Sequence, residues 1–209
     1  MIKVEALINL LKKNKSDFYS GVPDSVLKEF STILKNKKNH IIATNEGAAI
    51  SLGIGHYLAT KKIPCVYLQN SGLSNAMNPL LSIAHKKVYS IPMLLVIGWR
   101  GSPKKNDEPQ HKVKGQITPK LLKLLNIKFC IIKNKKSISK LNNLINYSKK
   151  NNTPVACLIE NDTFYPLKKK KEIINYKKLY RRDFIAYLLK KINKNAKIIS
   201  TTGYTSREL

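Results

Sequence analysis

The sequence predicts an α/β fold, a parallel sheet with helices on both faces, followed by an incomplete second α/β domain. Three observations predict it. Short β-branched runs alternate with segments of helical period along most of the chain, the pattern of strands joined by crossover helices. The composition suits a packed core: 43% of the 209 residues are hydrophobic, and only 9 Gly and 9 Pro interrupt them, which excludes disordered and collagen-like chains. Four successive strand candidates end in polar or glycine-bearing segments, and the carboxyl ends of strands are where parallel sheets bind ligands.

The first helix is expected over Ile2–Lys13, where Val4, Leu7, Ile8 and Leu11 share one face. Asp17–Ser20 reads as a strand and Pro23–Lys35 as a helix with Pro23 in its first turn, where a missing N–H does no harm. Then come a strand at His40–Ala43, a helix rich in small residues at Gly47–Ala59 and a strand at Pro64–Gln69. A helix at Ser74–Ala84 and a strand at Met93–Ile97 follow, and a polar loop fills the interval between Trp99 and Pro119. Helix, strand, helix and strand alternate again over Pro119–Leu125, Lys128–Ile132, Ser139–Lys149 and Val155–Ile159. Residues 1–160 thus make the first domain. Residues 161–178, with the run Lys168–Lys171, read as an exposed linker. Residues 179–209 open a second domain through a helix at Arg182–Lys191, a strand at Ala196–Ser200 and a turn at Thr201-Thr202-Gly203. A unit that opens and stops at Leu209 looks cut short. The order of the strands is not legible.

The charge balance is the outlier. With 39 Lys+Arg against 12 Asp+Glu the net charge is +27, most of it beyond residue 110. Such an excess attracts nucleic acid, anionic lipid or an anionic substrate. Yet 35 of the 39 are Lys, and Asn and Ile are also heavily used, as in AT-biased coding that writes Lys wherever solvent tolerates it. The 10 Tyr and 5 Phe are dispersed rather than interleaved with Arg, so no nucleic-acid partner is expected. No membrane partner is expected either. The longest apolar stretch, Ile91–Trp99, contains Pro92 and Gly98 and is far shorter than the ~18 residues a span needs. Lys3, Glu5 and Asn9 break up the N-terminal segment, so no signal peptide is read there. Cys65, Cys130 and Cys157 lie inside apolar runs without C-x-x-C spacing, as small buried hydrophobes in a reducing compartment. A cytoplasmic location is the expectation.

The four strand ends carry Gly21-Val22-Pro23-Asp24-Ser25, Thr44-Asn45-Glu46-Gly47-Ala48-Ala49, Gln69-Asn70-Ser71-Gly72-Leu73-Ser74-Asn75, and Gly98-Trp99-Arg100-Gly101 with the loop to Asp107-Glu108-Pro109-Gln110-His111. Each has an ordinary structural reading. Pro23 presets a turn, Asn45 can cap a helix whose dipole favours Glu46, Asn-Ser-Gly is common turn chemistry, and a lone His111 in a Lys-rich loop is usually solvated. All four together are harder to dismiss, because one crevice can hold them.

Phe18–Ser25, Asn45–Ala49, Leu68–Leu73, Asn75–Leu80 and Asp107–His111, with the tail Ser200–Gly203 and Thr205–Leu209, form an ordered set that resembles the phosphonopyruvate decarboxylase family of thiamine-diphosphate enzymes. The resemblance spans nearly the whole chain. It implies a pyrimidine-binding domain followed by the beginning of a diphosphate-binding domain, in a homo-oligomer that decarboxylates a small 2-keto acid bearing a phosphonate. It also implies roles. Glu46 would be the carboxyl that meets the cofactor's pyrimidine. Asn70, Ser71 and Gly72 would line the pocket beside it, and Gly203 would begin the diphosphate turn. His111, Asp24 and Ser25 would serve as proton source and oxyanion contacts. Arg100 or a nearby lysine would meet the phosphonate, with no motif singling one out. The family's Mg2+ and diphosphate motif, Gly-Asp-Gly followed downstream by Asn-Asn, does not occur in this chain, so metal ligands are expected outside it. The sulfopyruvate decarboxylases, whose α-subunits would stop near Glu160, are the nearest alternative. A basic nucleic-acid-binding or non-catalytic module is the alternative of another class.

Overall fold

The computed structural model describes residues 1–103, 105–167, 179–200 and 203–209. They divide into two compact units, Met1–Leu167 and Lys168–Leu209.

The first unit is a six-stranded, wholly parallel sheet in the order β2-β1-β3-β4-β6-β5. Its strands are β1 (Tyr19–Gly21), β2 (His40–Ile42), β3 (Cys65–Gln69), β4 (Met93–Gly98), β5 (Lys128–Ile132) and β6 (Pro154–Ile159). The parallel sheet with helices that the sequence predicts is therefore present. Side-chain alternation along the central strands divides the core into two layers. Cys65, Tyr67, Leu94, Val96, Val155, Cys157 and Ile159 face α1 (Val4–Lys13), α2 (Lys28–Leu34) and α6 (Lys135–Asn151). Val66, Leu68, Met93, Leu95, Ile97, Ala156 and Leu158 face α3 (Glu46–Thr60), α4 (Leu73–Pro79) and α5 (Pro109–Leu124). The chain steps from β1 to β2 on one side and returns to β3 on the other. The loops after β1 and β3 therefore part, leaving the crevice where sheets of this kind bind ligands.

Three elements of the first unit differ from the sequence expectation. The helix expected from Pro23 begins at Lys28, because Asp24 folds into a turn in which its own Oδ2 accepts from the Val26 N–H at 3.0 Å. The helix expected at Ser74–Ala84 is divided into α4 and a π-helical turn at Leu80–Ala84 that follows Pro79, and a 3-10 turn at Asn70–Gly72 precedes it. The loop expected up to Pro119 is largely helix: α5 starts at Pro109 and continues through Pro119. A proline inside a helix leaves the carbonyl four residues back without its N–H donor. That carbonyl belongs to Gly115, and the Trp99 indole Nε1–H donates to it at 2.8 Å, which removes much of the penalty and ties α5 to the end of β4.

Residues 161–167, the start of the segment read as linker, pack on the first unit. Phe164 is buried and bridges to Ile2. Residues 168–178 lie outside the described residues. In the second unit, α7 (Arg181–Lys191) and α8 (Tyr204–Glu208) are joined by the Arg181 guanidinium donating to both Glu208 carboxylate oxygens, at 2.7 and 2.8 Å. The strand expected at Ala196–Ser200 is not formed: these residues are irregular. No described helix is long and apolar enough to cross a membrane.

Candidate active site

Glu46 is the first residue of α3. Asn45 caps that helix, its Oδ1 accepting from the Ala48 N–H at 2.9 Å. The cap fixes the direction in which Glu46 leaves the helix, and the helix N-terminus favours a carboxylate there. The side chain crosses to the loops after β3. Its Oε2 accepts from Asn75 Nδ2 at 2.9 Å, and its carboxyl lies so close over Gly72 that a Cβ on residue 72 would collide with it. Glu46 is thus anchored by Oε2, while Oε1 lies against the bare backbone of Gly72 with no hydrogen bond among the described residues.

Of the residues expected to line this pocket, Gly72 does so directly. Ser71 Oγ accepts from Gln69 Nε2 at 2.5 Å. Asn70 is buried and occupied elsewhere: its Nδ2 donates to Arg100 O at 2.9 Å and to Thr118 Oγ1 at 3.0 Å, and its Oδ1 accepts from the Arg100 N–H at 3.1 Å. Asn70 therefore pins β3's end to β4's end and α5. Asn75, to which sequence reasoning assigns no role, is the residue that holds Glu46. Its place in the first turn of the helix that follows the Asn-Ser-Gly turn is the signal that could have found it.

A second constellation stands at the ends of β1 and β4. Asp24 is 8% exposed, and its Oδ2 sits where a side chain on Gly98 would clash. Its Oδ1 is buried without a partner among the described residues. Burial pushes this carboxyl up from the ordinary range, against the pull of neighbouring backbone N–H groups and of Arg100. Ser25, exposed beside it, accepts from Arg100 Nη1 at 2.9 Å. Arg100 also donates from Nε to both oxygens of Asp107, at 3.0 and 2.9 Å, and from Nη2 to Oδ1. The Asp107 side chain is 2% exposed and accepts further from the Gly101 and Glu108 N–H groups, at 2.7 and 2.8 Å. The Arg100 hydrogen bonds hold Asp107 well below the usual carboxylate range.

Because Asp107 is depressed, the stability it contributes is complete above the ordinary aspartate range and is lost as pH falls toward its folded value. Asp107→Asn is expected to lower unfolding free energy at neutral pH by roughly 1–3 kcal/mol. The gap between variant and parent should close below about pH 4, where the unfolded aspartate takes up its proton. Urea unfolding at several pH values checks this, and a gap that does not change with pH would contradict it.

His111 sits in the first turn of α5, half-buried, with its N–H bonded to Glu108 O at 2.9 Å. Gly203 belongs to the second unit, where at φ 129° it precedes α8. Among the described residues no three His, Cys, Asp or Glu side chains cluster as metal ligands. A shallow, open depression of about 530 Å³ runs along α3 over Phe18, Ala48, Ser51, Leu52, Gly55 and His56, with Phe18 and His56 stacked at 4.2 Å.

Residues 2–123 match the family described as thiamine pyrophosphate enzyme, N-terminal TPP binding domain. The chain belongs to that family. Glu46, Gly72 and Asn75 lie within the matched residues. A phosphonopyruvate decarboxylase of Streptomyces viridochromogenes is 36% identical over 115 residues, 54% of this chain and 28% of that protein. The chain thus matches little more than a quarter of that relative's length. The α-subunit of sulfopyruvate decarboxylase from Methanococcus maripaludis is 35% identical over 127 residues, 60% of this chain and 74% of the subunit. Among solved structures, benzoylformate decarboxylase from Polynucleobacter necessarius superposes with a TM-score of 0.61 at 18% identity, over 91% of this chain and 36% of that one. That likeness shows the shared fold.

The residues present fit one end of thiamine diphosphate. The cradle of Glu46 on bare Gly72, with one carboxyl oxygen held and one free, suits a flat heterocycle that offers a ring nitrogen. No described cluster suits the metal-bound diphosphate end.

Proposed function

We propose that this chain supplies the pyrimidine-binding half of a thiamine-diphosphate-dependent decarboxylase acting on a small 2-keto acid with an anionic tail, 3-phosphonopyruvate in the first instance. The observation that carries the proposal is Glu46, anchored through Oε2 by Asn75 and laid over Gly72 with Oε1 free. When bound, thiamine diphosphate supplies the sink for the electron pair left behind as CO2 departs. This chain's own residues do the rest. Glu46 holds the pyrimidine ring nitrogen and shares a proton with it at Oε1, while Asn75 prevents the carboxyl from swinging away. Asp24, buried, keeps the turn after β1 in place, and Ser25 offers a hydroxyl at its surface. His111, on α5, is the group that can hold or move a proton near the product.

Mg2+ and the diphosphate would be held by a second α/β domain, of which Gly203 and the second unit would be the start. That domain would come from a second subunit, so the working enzyme would be a homo-oligomer. The uncharged depression along α3 supports an interface there, because Gly47–Thr60 contains no Lys in a chain that has 35.

Sulfopyruvate is the second reading, favoured by the 74% coverage of the sulfopyruvate decarboxylase α-subunit. The test is kcat/KM of the protein, joined with a diphosphate-binding domain, on 3-phosphonopyruvate, sulfopyruvate and pyruvate. The dianionic phosphonate should be preferred over pyruvate by at least ~100-fold through its additional charge-assisted hydrogen bonds. A preference for sulfopyruvate would select the second reading, and one for pyruvate would reject both.

A further inference from the structure

Arg100 is the sole arginine of the first unit: the other three, Arg181, Arg182 and Arg207, follow residue 167. In a chain with 35 Lys, a position that needs only positive charge is written as Lys. Arginine kept at the end of β4 marks a place where the planar fork matters. One edge of that fork is already taken. Nε and Nη2 hold Asp107, so the guanidinium is fixed in plane and cannot rotate to another partner. Nη1 donates to Ser25 Oγ. A guanidinium has five N–H donors and no acceptor. One N–H on each terminal nitrogen therefore remains without a partner among the described residues, on a side chain that is still 19% exposed.

The same bond constrains Ser25. Because Arg100 can only donate, the Ser25 hydroxyl proton must point elsewhere, and Ser25 is exposed in the turn after β1, lining a cleft with Glu29 and Asp162. Carboxylates stand close by: Asp24, Asp107 and Glu108 near Arg100, and Glu29 and Asp162 in the cleft that Ser25 lines. Asp107 accepts from Arg100 and two backbone N–H groups, Asp24 accepts from Val26 through Oδ2, and Glu108 is exposed. The arrangement leaves a fixed set of donors on one side of the β1 and β4 strand ends.

We propose that Arg100 and Ser25 together receive the tetrahedral oxyanion at the tail of the substrate, phosphonate or sulfonate, and so determine specificity against 2-keto acids that lack an anionic tail. The assignment deepens the decarboxylase reading and rests on it for the word substrate. The binding step itself needs no cofactor. Arg100 supplies two N–H donors to the anion, Ser25 supplies its O–H, and Asp107 is the positioning residue that keeps the fork in plane.

The experiment is an NMR titration of this chain, at physiological salt, with methylphosphonate, methanesulfonate and acetate. It follows the arginine Nε–H signals, with Arg100 assigned by its loss in Arg100→Lys. The expected result is a saturable shift of the Arg100 signal with methylphosphonate, a weaker saturable one with methanesulfonate and none with acetate. Stronger binding of methanesulfonate would keep the receptor and assign it to a sulfonate. Arg100→Lys should weaken methylphosphonate binding at least ~tenfold, read from backbone amides around Gly101, and Ser25→Ala about threefold. No saturable shift in the parent, or unchanged affinity in both variants, would overturn the proposal. Should Arg100→Lys fail to fold, Ser25→Ala decides alone, since Ser25 is exposed and its loss leaves the Asp107 clamp intact. A merely structural clamp would lower the melting temperature of Arg100→Lys but would give the parent no saturable anion response. If the protein bound methylphosphonate in this way yet decarboxylated no 2-keto acid, the decarboxylase reading would fail and the oxyanion site would stand. A working decarboxylase with no such response would remove the oxyanion site and leave the decarboxylase reading in place.

Discussion

Glu46→Gln is expected to slow exchange of the C2 proton of bound thiamine diphosphate by roughly 10²–10⁴-fold in the assembled enzyme. Glutamine has nearly the same shape and its amide can still meet Asn75, so the helix cap and the contact with Gly72 persist. What it lacks is a proton it can pass to a ring nitrogen. Thermal melting should therefore move little while exchange collapses. Rapid-quench exchange in D2O, read by NMR, separates the two. Parent-like exchange in Glu46→Gln would remove Glu46 from this role whatever happened to turnover.

Gly72→Ala is the structural counterpart. The new methyl would meet the Glu46 carboxyl, the far end of a flexible side chain, so the least costly response is for Glu46 to swing off the turn. Stability should fall by less than about 1 kcal/mol, because no backbone has to move. A reacting group displaced by about an ångström can lose about 100-fold in rate, and a drop of that size in kcat/KM is expected. The diagnostic is the combination of an intact fold with failed chemistry. A large loss of stability would instead mean that the turn had to open. Full activity would mean that Glu46 does not work from the observed position.

The alternation of strand and helix is legible in the sequence because each crossover carries its own punctuation: Asn45 before α3, Asn-Ser-Gly before α4, and apolar runs for β3, β4 and β6. The strand order is not, since nothing in a local pattern records which neighbour a strand selects. α2 and α5 depart from the expected pattern for different reasons, a local side-chain turn in the first and a tertiary partner in the second. Asp24 turns back on the Val26 N–H and delays α2, while Trp99 satisfies the Gly115 carbonyl and lets α5 run through Pro119. Tertiary partners also make the site. Glu46 stands out by its motif, and its pairing with Gly72 across the crevice follows from the order β2-β1-β3. Asn75 as its anchor, and the Ser25–Arg100 bond, join residues far apart in sequence, as Asn70 joins β3 to β4. Only the folded chain displays them, although a single arginine among the many lysines of residues 1–167 is a visible signal.

The most direct test of the central claim is CO2 release from 3-phosphonopyruvate by the protein assembled with a diphosphate-binding domain. The parent and Glu46→Gln are compared with thiamine diphosphate and Mg2+ present and with each omitted. The expected result is release by the parent that requires the cofactor and falls by at least ~100-fold in Glu46→Gln. Release that persists without thiamine diphosphate, or that is equal in the two proteins, would contradict it.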